Sequence, residues 1–322
     1  MSILLDNNSV VVIQGITGKQ GTSACTEMLA YGTRVVAGVT PGKGGQTVDG
    51  VGVHDTVAEA MRAYPDMNVS LICVPPPFVK DAALEAMAAG LKLIVILSEG
   101  VPALDTAEML AHARLRGVTI IGPSSVGVIS VGKAKVGPIG GPTPDEIFVA
   151  ATRRPKNQKL KTAGHAGTIG VISKSGGMTL ELGLILKNAG YSVTTALSIG
   201  GDMIVCSDFA DLLRLFEKDR ATDAVVIYGE LGGSYEEQAA VLIKQGGFTK
   251  PFVAFIAGTF AETYLPKGQQ LGHAGAIIEG GRGTVESKVE ALRDAGATVV
   301  DAPYDIPKAL KRLLGVKKKE RA

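Results

Sequence analysis

The chain has almost no net charge: 33 lysines and arginines against 31 acidic residues leave a formal +2. That balance removes the electrostatic case for nucleic acid or a membrane surface as the main partner. Long apolar runs are missing too. Stretches such as "SVVVIQG" and "LKLIVIL" are too short to cross a bilayer, and the opening "MSILLDNN" lacks the basic and apolar regions of a signal peptide. A cytoplasmic location is the expectation. Cysteine is scarce: Cys25, Cys73 and Cys206 lie far apart, without metal-like spacing. An odd, scattered set reads as reduced packing thiols, not a disulfide framework. No G-x-x-x-x-G-K-[ST] loop occurs, and no cluster of metal-ligand types, so no metal site is expected on this chain.

What is present is a soluble, globular balance of 46% apolar and 20% charged residues over 322 positions, more than one core usually serves. Strands are expected at Ser9–Gln14, Arg34–Val39, Val69–Val74, Leu91–Leu97 and Thr119–Ile121, alternating with helical stretches. Near-continuous apolar strands between helices predict a parallel sheet covered on both faces, hence a Rossmann-like domain over 1–131. Gly, Pro and basic residues then dominate 132–167, which reads as a connector. A second α/β series over 168–316 predicts a flavodoxin-like parallel domain. Its helices fall near Met178–Asn188, Phe209–Glu217, Tyr235–Gln245, Val285–Ala295 and Ile306–Leu314. Residues 317–322 read as a frayed basic tail.

After the first strand comes "GITGKQG". Its glycines allow close backbone approach, and the N–H groups opening the next helix favour an anion, so Thr17, Gly18, Lys19, Gln20 and Gly21 are assigned to a phosphate. The spacing is not the G-x-G-x-x-G dinucleotide fingerprint. An NAD-binding domain also places an acidic residue after the second strand, on the ribose. Here that strand ends in "AGVTPGKGGQ", which offers Lys43 instead. A ligand with a pyrophosphate and a further ribose phosphate would use both loops, and coenzyme A is such a ligand. "CVPPPF" (Val74, Pro75) and "LSEGVP" (Ser98, Glu99) fall at the carboxyl ends of further parallel strands, where open α/β sheets bind ligands.

Together "GITGKQGT", "GVTPGKGG", "CVPPPF", "LSEGVP", "GVISKSGG", "SIGGD", "YGELGGSYEE" and "GHAGAII" resemble, in order and spacing, the α subunit of succinyl-CoA synthetase and its relatives in ATP-citrate lyase and citryl-CoA synthetase. The resemblance covers nearly the whole chain apart from the basic segment near 142–163. It implies an NDP-forming acid–CoA ligase. A nucleoside triphosphate phosphorylates a histidine, the phosphate passes to a carboxylic acid, and coenzyme A takes the acyl group. The matching histidine is His273, and Glu230, in "GELGG", matches the glutamate that orients it. A neutral imidazole held at one nitrogen can attack through the other. "SKSGGM" joins a strand to a helix through small residues, so Ser173, Ser175, Gly176 and Gly177 are assigned to the phosphoryl group. Gly200, Gly201 and Asp202 are weaker assignments on a neighbouring loop. A second "GHAG" surrounds His165, just before a strand, and reads as coincidence. His54 and His112 read as surface or helix-side residues.

With no nucleotide loop on this chain, ATP or GTP with magnesium is expected on a partner, an ATP-grasp β subunit in an αβ or α2β2 heteromer. The acid stays open. "SGGM" and "GPSSVGV" lean towards the citrate branch, but that branch places an arginine after "GGD", suited to gripping a tricarboxylate, where this chain has Met203. Lys174 or Arg282 are alternative sources of charge. Succinate or a related acid is the leading reading, with citrate the alternative. A non-catalytic CoA-binding regulator and an NAD-dependent dehydrogenase are the other functions to be distinguished.

Overall fold

The computed structural model describes residues 2–150, 166–264, 272–276 and 283–320, in two seven-stranded sheets with helices on both faces. The first sheet contains β1 (Val10–Gln14), β2 (Arg34–Val39), β3 (Thr47–Val48), β4 (Val51–His54), β5 (Val69–Ile72), β6 (Leu93–Ile96) and β7 (Thr119–Ile121). Its spatial order is β3-β4-β2-β1-β5-β6-β7, parallel except for the β3–β4 pair. Leaving β3 aside, this is the 3-2-1-4-5-6 order of a Rossmann sheet. Every residue of β1, β5 and β6 is buried, as a strand sandwiched between two helical layers requires.

The second sheet contains β8 (Val128–Ser130), β9 (Ala134–Val136), β10 (Thr168–Ser173), β11 (Ser192–Ser198), β12 (Ala224–Glu230), β13 (Phe252–Ala257) and β14 (Thr298–Val300). Its order is β14-β13-β12-β10-β11-β8-β9. The five strands from β10 onward are parallel in a flavodoxin-like order, and β8 and β9 add an antiparallel edge. In both sheets the first parallel strand has its successor on one side and a later strand on the other. Each sheet therefore has a crevice beyond the carboxyl ends of its central strands.

Two hairpins differ from the sequence expectation. β3 and β4 flank Asp49 and Gly50, both at positive φ (50° and 81°), so the "DG" pair makes a tight two-residue turn. β8 and β9 draw 128–136 into the second sheet, although composition places those residues at the end of one domain and in a connector. Lys135 looks like part of a solvated run, yet it is fully buried. Its ammonium lies 3.1 Å from Glu27 and also reaches the Gly141 carbonyl, and burial pushes its pKa down. The pair ties the helix Lys19–Ala30 of the first sheet to β9 of the second. At the C-terminus the last helix, Ile306–Glu320, runs through most of the stretch read as a frayed tail.

Candidate active site

The crevice of the first sheet gathers the loops after β1, β2, β5 and β6. Gly18 caps the helix Lys19–Ala30 in extended conformation, with no side chain on the free N–H groups and no acidic residue in the first turn. Gly18, Lys19 and Gln20 are exposed, so the positive helix end is open to an anion. Gly21 is buried instead. A Cβ there would stand 2.3 Å from the Gly15 carbonyl oxygen, so its place is in close packing of helix on turn. The Thr17 and Thr40 hydroxyls, 3.2 Å apart, join the β1 and β2 loops. Lys43 is exposed on the second of these, its amide donating to the Thr40 carbonyl at 3.1 Å. The buried Ser98 hydroxyl donates to the Val74 carbonyl, while Pro75 and Glu99 face outward. No acidic residue stands between β2 and β3, although the Asp55 carboxylate accepts from the Gly44 amide at 2.9 Å; with its glycines, its lysine and the bare amides of the helix start, the rim fits a ligand bearing separated phosphates.

In the second sheet β10 pairs with β11 and β12, and the loops after these strands meet the segment carrying His273. Glu230 is the last residue of β12. Its carboxylate oxygens lie 2.7 and 2.8 Å from Nδ1 of His273, so Nδ1–H donates to the carboxylate. Among the described residues Nε2 has no hydrogen-bond partner. Gly201 underlies the ring: a Cβ there would come within 2.5 Å of Cδ2. The Gly275 amide donates to the Gly201 carbonyl at 3.0 Å, which fixes the histidine segment to the loop after β11. His273 and Glu230 border a cavity of about 270 Å³ whose other walls include Tyr228, Leu231, Ala261 and Ala276.

Lys174 is almost fully buried, with Nζ 3.4 Å from Glu230 and 5.7 Å from the centre of the Tyr235 ring. That placement makes it a counter-ion for Glu230 and takes it out of the set of exposed groups able to grip an acid. Burial pushes the Glu230 carboxyl up, but the hydrogen bond from His273 and the charges of Lys174 and His273 outweigh it, leaving the pKa below the ordinary carboxylate value. The hydrogen bond to Glu230 raises the His273 pKa most strongly. Burial and Lys174 act against it, Glu99 acts with it, and the net shift is upward.

The "SKSGG" turn divides its members. The fully buried Ser173 hydroxyl donates to the Ser175 carbonyl at 2.7 Å and accepts from the Ser175 amide at 3.0 Å, so it is spent on the turn. Ser175 caps the helix Gly176–Asn188, accepting from the Met178 amide at 3.4 Å, and Gly177 is exposed. The missing Cβ of Gly176 makes room for Val126, which would stand 2.1 Å away. Asp202 faces the other sheet: its carboxylate accepts from the amides of Gly100 and Val101, each at 3.1 Å. Met203 beside it is exposed. His54 packs edge-on against Tyr64, His112 is exposed on the helix Ala103–Arg116, and His165 and Arg282 lie outside the described residues. Burial pushes the thiols of Cys73 and Cys206 up to about 12 and, with help from Asp49, that of Cys25 to about 11, which disfavours the nucleophilic thiolate at all three.

No helix among the described residues is long and apolar enough to cross a membrane. Residues 6–100 match a family described as a CoA binding domain, and residues 172–298 one described as CoA-ligase. The chain is 46% identical to a succinate–CoA ligase [ADP-forming] subunit alpha 1 of Archaeoglobus fulgidus over 98% of this chain and 99% of that one. It is 41% identical to an ADP-forming sulfoacetate–CoA ligase subunit, SauD, of Bilophila wadsworthia, over 98% and 100% of the two chains. Among solved structures, an ATP citrate lyase mutant of Methanosaeta concilii in complex with (3S)-citryl-CoA superposes with a TM-score of 0.87 at 26% identity, over 99% of this chain and 52% of that one. With a CoA binding domain followed by a CoA-ligase domain and full-length relatives of this identity, the chain belongs to the family of α subunits of ADP-forming acid–CoA ligases.

Proposed function

We propose that this α subunit works with an ATP-grasp β subunit in the cytoplasm to join coenzyme A to succinate or another short acid with a second anionic group, through a phosphohistidine at His273. The observation that carries the reading is the Nδ1–Glu230 pair, which fixes the tautomer and leaves Nε2 with its lone pair. Nε2 attacks the γ-phosphorus of a nucleotide bound by the partner. The N–P bond forms, the bridging P–O bond breaks, and the nucleoside diphosphate leaves. A carboxylate oxygen of the acid then attacks phosphorus, and the N–P electron pair returns to Nε2 as the acyl phosphate forms. The sulfur of the coenzyme A thiol attacks the acyl carbon, the C–O bond to phosphate breaks, and the departing inorganic phosphate takes up the thiol proton. Glu230 holds the ring and balances the imidazolium character that develops on phosphorylation. The open helix start at Gly177 and the capped turn at Ser175 offer N–H groups to the moving phosphate, and Gly18 to Gln20 with Lys43 hold the phosphates of coenzyme A.

Succinate and sulfoacetate, in the names of the relatives, each combine a carboxylate with a second anionic group, which supports an acid of that class. Citrate is the second reading, favoured by the superposition on an ATP citrate lyase. The test is thioester formation by the two co-expressed subunits across a panel of succinate, sulfoacetate, malate and citrate, wild type against His273→Asn. The reading predicts turnover with one member of the panel and none with the variant. Equal turnover by the variant contradicts it.

A further inference from the structure

The geometry points to Asp202 as a positioning residue that sets the coenzyme A side of the site against the histidine side, a role that rests on the phosphohistidine reading above. Asp202 belongs to the loop after β11, and that loop is held from two directions. Its backbone secures the histidine segment. The Gly275 amide donates to the Gly201 carbonyl, and Gly275 packs so closely on Asp202 that a Cβ would stand 2.8 Å from the Asp202 carbonyl oxygen. Its side chain turns the opposite way. The carboxylate, in a residue only 4% exposed, accepts from the amides of Gly100 and Val101 in the loop after β6 of the other sheet.

That second loop carries Glu99, whose charge is felt at His273, and Ser98, which is tied to Val74 on the coenzyme A rim. One residue therefore joins the loop that supports the reacting imidazole to the loop that borders the incoming thiol. Charge-assisted hydrogen bonds from two consecutive amides fix both distance and orientation, which is what a step between two separately bound groups requires. Attachment of the two sheets does not depend on this carboxylate. Further along the same loop the Cys206 amide donates to the Gly122 carbonyl at 2.9 Å, and the Ser207 hydroxyl to the Ile120 carbonyl at 2.8 Å. The carboxylate is thus free to serve alignment.

The experiment separates the half-reactions in the co-purified two-subunit enzyme, with wild type, Asp202→Asn and Asp202→Ala. Labelling from γ-labelled nucleotide without coenzyme A reads the histidine step. Thioester formation from the labelled enzyme, acid and coenzyme A reads the thiol step. Asp202→Ala is expected to label at the wild-type rate and to form thioester about tenfold to a hundredfold more slowly, with a raised KM for coenzyme A. Asp202→Asn, which keeps the volume and one acceptor oxygen, falls between, and it decides the matter if the alanine variant does not fold. Unchanged thioester formation overturns the proposal. So does an equal loss in both steps, which a merely structural residue would give. Wild-type enzyme that takes no label overturns the underlying phosphohistidine reading instead, and the two failures are distinguishable.

Discussion

Replacing Glu230 with glutamine keeps an oxygen able to accept from Nδ1–H but removes the charge 2.7 Å from the ring. A hydrogen bond to a charged partner contributes about 1.5–3 kcal/mol, and this one strengthens as the imidazole gains positive character on phosphorylation. At about 1.4 kcal/mol per tenfold, Glu230→Gln should slow labelling of His273 roughly tenfold to a hundredfold at the pH of maximal rate. The pH profile should move as well. In the wild type Glu230 holds His273 above its ordinary value of 6.5, so neutral nucleophile becomes scarce at a pH higher than for a free imidazole. With glutamine the charge is gone and the hydrogen bond is weaker, while burial and Lys174 still disfavour the cation. The acid limb therefore moves to lower pH even as the plateau falls. Stability has its own sign. The raised histidine stabilises the fold below 6.5 and loses this contribution as pH rises through its folded value, whereas the lowered glutamate contributes above 4.5 and loses it in acid. The pair is worth most between these limits, so the variant should lose more stability at pH 5.5 than at pH 9. Single-turnover labelling across pH, with thermal melts on the same samples, measures all three effects. An unchanged plateau with an unmoved acid limb would refute the orienting role.

Gly201→Ala places a methyl group 2.5 Å from Cδ2 of His273, so the ring must shift; labelling should fall more than tenfold, since small misplacements of reacting groups are that costly, while coenzyme A still binds by calorimetry. Lys43→Ala removes an exposed charge from the coenzyme A rim. The KM for coenzyme A should rise about fivefold at low salt, less at high salt, with kcat nearly constant, as for a screened ion pair worth up to about 1 kcal/mol. Lys288→Met strands Glu236, which is fully buried, paired with the Lys288 ammonium, and accepts from the Glu230 amide at 3.1 Å. Breaking such a pair from one side costs about 3–5 kcal/mol, so denaturant unfolding should show a loss of that order.

The legible parts of the fold were those with an unbroken local signal. Arg34–Val39 and Thr119–Ile121 stand in the structure with the bounds read from the sequence, because their apolar runs end at turn residues. The β3–β4 hairpin was legible in principle through Asp49-Gly50, but strands of two and four residues carry too little apolar pattern to announce themselves. β8 and β9 were hidden by glycine and lysine, and Lys135 is buried through partners, Glu27 and the Gly141 carbonyl, that lie in other elements. The same limit governs the site. Strand ends and glycine loops are local features and pointed to the two crevices. The direction of a side chain inside a turn is not local: Ser173 closes on Ser175, Lys174 turns inward to Glu230, and Asp202 reaches across to the other sheet.

The central claim, that His273 carries the phosphoryl group through Nε2, is tested most directly on the co-purified two-subunit enzyme labelled with γ-labelled nucleotide. Acid-labile, base-stable label on the peptide containing His273, absent from His273→Asn and lost on addition of acid and coenzyme A as thioester appears, is the predicted result. Label persisting on this chain in His273→Asn, or thioester forming while His273 stays unlabelled, would contradict it.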